Sequence, residues 1–381
     1  MEKSMVKSLI RQFAALTMAS VLLGVVALAQ DQTPAHNLTP GLTTDGLSTN
    51  QAAASLLSTL PEADSLIYIN PQRILNEAAP KVMPEADLAK MRQQFNDLRQ
   101  FAGVDPSRID YLVLAMRFRK PAADLTFQPP EFLIVTSGDF SADSLLTMAR
   151  LALQEKLSEE KYGSKMLMLT TIDEIAKQSE KTPFLKSFTQ LGLVALNTNT
   201  IAAGNINYLK AAVDASEGRE RINVETLNSW LRDKDALLSL AGSPWNSFAK
   251  SFGLMGTEIN ARANRCESKL GDVYAAISME GSTFKLRGAM NADNPDTAKV
   301  INSLLLSLLQ TAASGAGEDK SAQAALKMLN ITPYDSEVRL EADIPHQMVA
   351  DFMRNQMKPK PAEEAKKPAS KPVKKRRTKR R

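Results

Sequence analysis

Residues 272–291 read DVYAAISMEGSTFKLRGAMN, and they carry the clearest structural signal of the chain. Two runs of strand-forming residues flank Gly281, a residue type that favours tight turns. In the second run, apolar and basic side chains alternate, and these are Phe284, Lys285, Leu286 and Arg287. A period of two is typical of a strand with one face on the core and one face in water. The stretch therefore predicts an antiparallel hairpin.

The elements on either side of this hairpin complete a β-α-β-β-α-β order. A short apolar strand is predicted over 236–241, and a mostly helical segment over 244–265 leads into the hairpin. After the hairpin, Asn294 and Pro295 provide an N-cap residue and a proline at the first helical position. A strand over 336–343 then closes the unit.

The same order precedes this unit in the chain. Helices are predicted over 85–102 and 141–156, and strands over 65–70, 110–118, 131–137 and 166–172. Two such units are typical of two ferredoxin-like α+β sandwiches, each with an antiparallel sheet that is backed by helices on one face. Tyr111 and Tyr274 then fall at equivalent strand positions. An extra hairpin, with strands over 192–197 and 200–204, and a helix over 206–215 extend the first unit.

The N-terminus has the pattern of an export signal. Lys3, Lys7 and Arg11 precede an uncharged stretch over 12–30, and Ala-Leu-Ala at 27–29 matches a signal peptidase site. We therefore expect a signal peptide over 1–29. The alternative is an uncleaved membrane anchor, because an apolar run of about 17 residues is at the lower limit for a span.

The remaining boundaries follow from composition. A polar stretch over 30–59, rich in Ser, Thr, Gly and Pro, is predicted to be a disordered tether. The 381 residues, 44% of them apolar, fit two globular domains, which we place at 60–220 and 221–357. A disordered tail occupies 358–381.

The single cysteine, Cys266, leaves no internal disulfide for an exported chain. Packing alone must then stabilise the fold. A bacterial periplasm or cell surface suits this composition best, because eukaryotic extracellular proteins of this size more often contain paired cysteines.

The positive charge of the chain is concentrated in the tail. The formal net charge is +5, yet residues 358–381 contain eight Lys and four Arg against Glu363 and Glu364, a local charge of +10. The mature globular part therefore has a net charge of about −7, so its composition indicates no basic face for nucleic acid.

The tail is the predicted anion-binding segment, and its densest basic residues are Lys374, Lys375, Arg376, Arg377, Lys379, Arg380 and Arg381. Behind a signal peptide, the nearest polyanions are lipid headgroups, lipopolysaccharide and wall polymers, and each base contributes about 1 kcal/mol near an anionic surface. The tail contains no aromatic residue that could stack on nucleic acid bases. A solubilising tail without a specific partner is the alternative.

The residues that usually carry catalysis are scarce. His36 lies in the tether and His346 follows Pro345, while Cys266 lies among Arg and Glu residues on a predicted helix. The chain has no Gly-x-Ser-x-Gly motif, and one thiol with two distant imidazoles does not supply a metal site. We therefore assign no catalytic, cofactor or metal residue. Acidic pairs remain as candidates for a carboxylate site, and these are Glu62 with Asp64, Glu159 with Glu160, and Glu318 with Asp319.

Three stretches resemble a diffuse group of exported bacterial proteins of unknown function. They are Leu60-Pro61 through Tyr68-Ile69-Asn70, the VALNTNTIAAG run over 194–204 with the helix that follows it, and the helix over 227–231. In that group a Leu-Pro-x-x-Ala sequence precedes tandem α+β units. The resemblance implies export and this architecture, and it transfers no catalytic residue.

Together these patterns predict an exported, two-domain α+β protein without enzymatic activity, which acts as a binding or scaffold module of the bacterial envelope. Its tail contacts an anionic surface or polymer, and a protein partner is compatible with the same module. Two alternatives remain open. One is a periplasmic hydrolase with a carboxylate or Ser site between the domains, and the other is a protein that binds polyanions or nucleic acid through the tail.

Overall fold

The computed structural model describes residues 59–102, 104–118, 130–153, 157–171, 190–233, 235–242, 270–315, 323–324 and 327–357. Their strands are β1 (Ser65–Ile69), β2 (Ile109–Arg117), β3 (Glu131–Gly138), β4 (Leu157–Tyr162), β5 (Lys165–Thr171), β6 (Gln190–Asn197), β7 (Thr200–Asn205), β8 (Ala236–Gly242), β9 (Leu270–Glu280), β10 (Thr283–Ala292), β11 (Asn330–Tyr334) and β12 (Glu337–Pro345). The helices are α1 (Pro71–Arg73, π-helical Ile74–Ala78 and Ala79–Val82), α2 (Glu85–Ala102), α3 (Ala142–Leu153), α4 (Ile206–Ser216), α5 (Val224–Trp230), α6 (Pro295–Gly315) and α7 (His346–Met357).

All the described strands belong to one antiparallel sheet. Their order is β11-β12-β10-β9-β8-β1-β2-β3-β7-β6-β5-β4. The predicted α+β class is confirmed, and so are the extra hairpin, β6 with β7, and the helix α4 that follows it. The predicted helical segment over 244–265 lies outside the described residues.

The ferredoxin-like pairing is not confirmed. In a split β-α-β unit, another strand separates the two strands that a helix connects. Here β1 pairs directly with β2, with Ile67 opposite Leu114, although α1 and α2 lie between them in the chain. The other edge of β1 pairs with β8, so strands of both predicted domains share a single sheet.

The register relates the two halves of the sheet. One row across the sheet contains Tyr68, Val113 and Ser239, and continues to Ala276 in β9. Tyr111 precedes Val113 by two residues, and Tyr274 precedes Ala276 by two residues, so the two tyrosines lie on the same face at equivalent positions. The predicted equivalence of these strands is therefore confirmed, although the two units share one sheet.

Helices cover both faces of the sheet, which corrects the expectation that they lie on one face. The first face packs against α4 and α5, whose Tyr208, Leu209 and Leu227 are fully buried with Leu66 and Val113. The opposite face contains two further apolar clusters. One of them forms where Ile301 and Leu309 of α6 pack against Ile331 and Val338.

Local signals at the ends of elements agree with the predictions from sequence. The Asn294 side chain accepts a hydrogen bond from the Thr297 main-chain N–H at 2.9 Å, and α6 begins at Pro295. Gly281 turns β9 into β10 with φ +59°. The predicted N-cap and the predicted hairpin are both confirmed.

The β1–β8 pair depends on the absence of a side chain at Gly242. This residue has φ +148°, and a Cβ atom there would lie 2.4 Å from the Asp64 carbonyl oxygen and from the Ser65 Cα. Gly281 also has positive φ, but a Cβ atom there would contact nothing within 4 Å. A side chain at position 242 would therefore cause both backbone strain and a steric clash, whereas a side chain at position 281 would cause only backbone strain.

We predict that Gly242→Ala lowers the free energy of unfolding by about 3 kcal/mol, because the added methyl group overpacks the strand pair. The matched Gly281→Ala variant adds only left-handed strain, about 1 kcal/mol. Urea unfolding followed by circular dichroism measures both values. Equal losses in the two variants would contradict the close approach of β8 to β1.

Candidate functional site

The described residues place few of the predicted candidate groups in a common site. The seven basic tail residues from Lys374 to Arg381 lie outside the described ranges, as do His36, Cys266, Glu318 and Asp319. His346 begins α7, where its main-chain N–H donates to the Ser282 carbonyl at 2.9 Å. Its Nδ1 lies 2.9 Å from the same oxygen. This histidine therefore fixes the β9–β10 turn against α7.

The acidic pairs contact the chain itself. Asp64 accepts a hydrogen bond from the Phe118 main-chain N–H at 2.7 Å, and burial raises the pKa of its carboxyl group. Glu159 pairs with Arg150 and Glu160 pairs with Lys210, both at 2.6 Å. These carboxylates stabilise separate parts of the fold and do not face one another across a cleft.

Two features are absent from the ranges that the structure describes. Within those ranges no three His, Cys, Asp or Glu side chains gather in a way that could hold a metal ion. None of the described helices is both long enough and apolar enough to span a membrane.

A small cleft opens where the end of α5 meets β9 and β10. It has a volume of about 60 Å³, and we call it the Trp230 cleft. Its lining residues are Ser229, Trp230, Arg232, Asp272, Val273, Tyr274, Ala289 and Asn291. Polar and aromatic side chains from a helix end and two strands therefore converge on one small volume.

Local structure explains how α5 reaches this position. The Asn223 side chain accepts from the main-chain N–H groups of Glu225 and Thr226, which caps the helix at its start. Leu227 and Trp230, one turn apart, bury their side chains in the core of the sheet. The helix ends at Trp230, so the next residues turn back over β9.

Arg232 stacks on the aromatic ring of Tyr274. The guanidinium carbon lies 4.0 Å from the ring centroid, which is within the range of a cation–π contact. Asp272 and Tyr274 are two residues apart in β9, so their side chains lie on the same face of the sheet. Asn291 of β10 lies on that face as well. The strand register therefore places Asp272 and Asn291 beside the stacked pair.

Two buried polar atoms of the cleft residues lack hydrogen-bond partners. Trp230 is 3% exposed and Tyr274 is 8% exposed. Neither the indole Nε1 nor the phenolic oxygen has a hydrogen-bond partner at a suitable distance and angle. A buried polar group without a partner costs about 1 to 3 kcal/mol. The indole N–H can only donate, and its nitrogen is enclosed by the surrounding side chains.

Burial, with a smaller contribution from the negative charge of Asp233, raises the pKa of Tyr274 to about 12. The positive charge of Arg232, and weak hydrogen bonding of the phenolic oxygen to the Asp233 main chain and the Arg232 side chain, act in the opposite direction. The phenol therefore remains protonated at neutral pH and can donate a hydrogen bond.

A second pair of the same chemistry shows what distinguishes the cleft. Arg339 stacks on Tyr334 with the same distance, 4.0 Å, from the guanidinium carbon to the ring centroid. Tyr334 is 61% exposed on the edge strand β11, whereas Tyr274 is buried beside Trp230. Burial, and not the stack itself, distinguishes Tyr274 from Tyr334.

Sequence reasoning did not identify this site. Trp230 falls within the predicted helix over 227–231, and Tyr274 falls within the predicted hairpin. The available signal was weak: one of only two tryptophans ends a helix, and an arginine follows two residues later.

Comparison with known proteins yields no family. No protein-family model matches the chain, and no curated protein matches it. Among solved structures, the chain is similar to three crystal forms of the Treponema protein TP0453. Form III has a TM-score of 0.42 at 9% identity over 79% of this chain and 97% of that one. Forms IV and I have TM-scores of 0.41 and 0.38, at 9% and 11% identity, over 78% and 79% of this chain and 95% and 96% of theirs.

The raised pKa of Tyr274 predicts a loss of stability at alkaline pH. The unfolded phenol ionises near its ordinary pKa of 10.0, and the folded one ionises only near about 12. The stabilising contribution is therefore complete below pH 10 and disappears as the pH rises through the folded pKa. Between these two pH values the unfolding free energy should fall less in Tyr274→Phe than in the wild type. Urea titrations at each pH measure it. Tyr334→Phe, which alters the exposed ring, is the control, and an unchanged slope in Tyr274→Phe would contradict the prediction.

Proposed function

We propose that the protein is an exported, non-catalytic binding or scaffold module of the bacterial envelope, and that its basic tail makes salt-sensitive contacts with an anionic surface or polymer. The observation that carries this proposal is the segregation of charge along the chain. Twelve basic residues lie in the last 24 positions, with only Glu363 and Glu364 to balance them.

The charge arrangement of the folded part supports this assignment. Basic side chains of the described residues repeatedly pair with acids of the same fold, as Arg117 does with Glu131 at 2.7 Å. Arg287 pairs with Asp343 across β10 and β12 at 3.1 Å. Such pairs neutralise the cations within the fold, so the basic tail is the best candidate for contact with a polyanion.

The attachment points of the tether and the tail fit a scaffold role. At the N-terminal side, the Leu60 carbonyl accepts a hydrogen bond from the Ile222 main-chain N–H at 3.0 Å. Pro61 forms an isolated antiparallel β-bridge with Arg221. At the C-terminal side, α7 packs against α1 and directly precedes the tail. The segments predicted to be a tether and a tail therefore adjoin parts of the chain that contact the rest of the fold.

The expected strength follows from electrostatics. A base close to an anionic membrane contributes about 1 kcal/mol, so several of the twelve acting together suffice for stable retention. Screening weakens this attraction as the Debye length falls from about 10 Å at 0.1 M salt to about 3 Å at 1 M salt. A contact made by the tail must therefore depend steeply on ionic strength.

We predict that deletion of residues 358–381 abolishes sedimentation of the protein with anionic lipid vesicles and with lipopolysaccharide at low salt. Replacement of the seven basic residues from Lys374 to Arg381 by Gln should reduce binding at least about tenfold, because most of the terminal charge is removed. The matched control changes Lys90 and Arg92 to Gln, two exposed bases of α2. Its binding should remain at the wild-type level.

Two outcomes would overturn the proposal. Retention that is unchanged after the tail is deleted would show that the tail is not the contact. Stronger binding to duplex DNA than to anionic vesicles at the same salt concentration would favour the nucleic-acid alternative. N-terminal sequencing of the mature protein tests the export step independently, and we expect the mature chain to begin at Gln30.

A further inference from the structure

We draw no further inference here: the strongest candidate, the apolar face of β8, β1, β2 and β3 that lies opposite α4 and α5 and contains Ile67, Leu114, Ile134 and Leu240, carries no proposal because nothing in the described residues shows what covers its centre.

Discussion

The antiparallel pairing of β1 with β8 is the contact on which the rest of this structure depends. It joins two halves of a sheet that would otherwise each present an open edge at this position. Once they are joined, the outer edges of the described sheet are β4 and β11. The first carries Glu159, Glu160 and Lys161, and the second carries Pro333, and both features discourage pairing with another chain. One internal strand pair therefore determines both the continuity of the sheet and the position of its protected edges.

The sequence predicted features that local chemistry determines. The β9–β10 hairpin follows from a period of two around Gly281, and the start of α6 follows from Asn294 and Pro295. Strand order is different, because the same β-α-β-β-α-β sequence fits either a split unit or direct pairing of neighbouring strands. The choice depends on contacts such as Ile67 with Leu240, which join residues far apart in the chain. No local pattern encodes that contact.

The same distinction applies to the two candidate binding regions. The basic tail was predictable because charge density is a property of composition alone. The Trp230 cleft was not, since it requires the end of α5 to lie over β9, and that position results from burial of Leu227 and Trp230 in a core built by distant strands. Arg232 and Tyr274 then meet through tertiary structure, and neither residue is unusual in its own segment.

Unpartnered polar atoms are not unique to the cleft, since Ser65, Ser239 and Asn302 also have buried atoms without partners in the described fold. The same core nevertheless satisfies other polar groups well. The hydroxyl of Tyr208 donates to the Glu62 carbonyl at 2.9 Å, and Thr200 bonds to Ser137 at 3.0 Å. What distinguishes Trp230 and Tyr274 is that both line one cavity together with a guanidinium group. Each unpaired buried group costs about 1 to 3 kcal/mol, so this part of the core is less stable than one in which every polar group is paired.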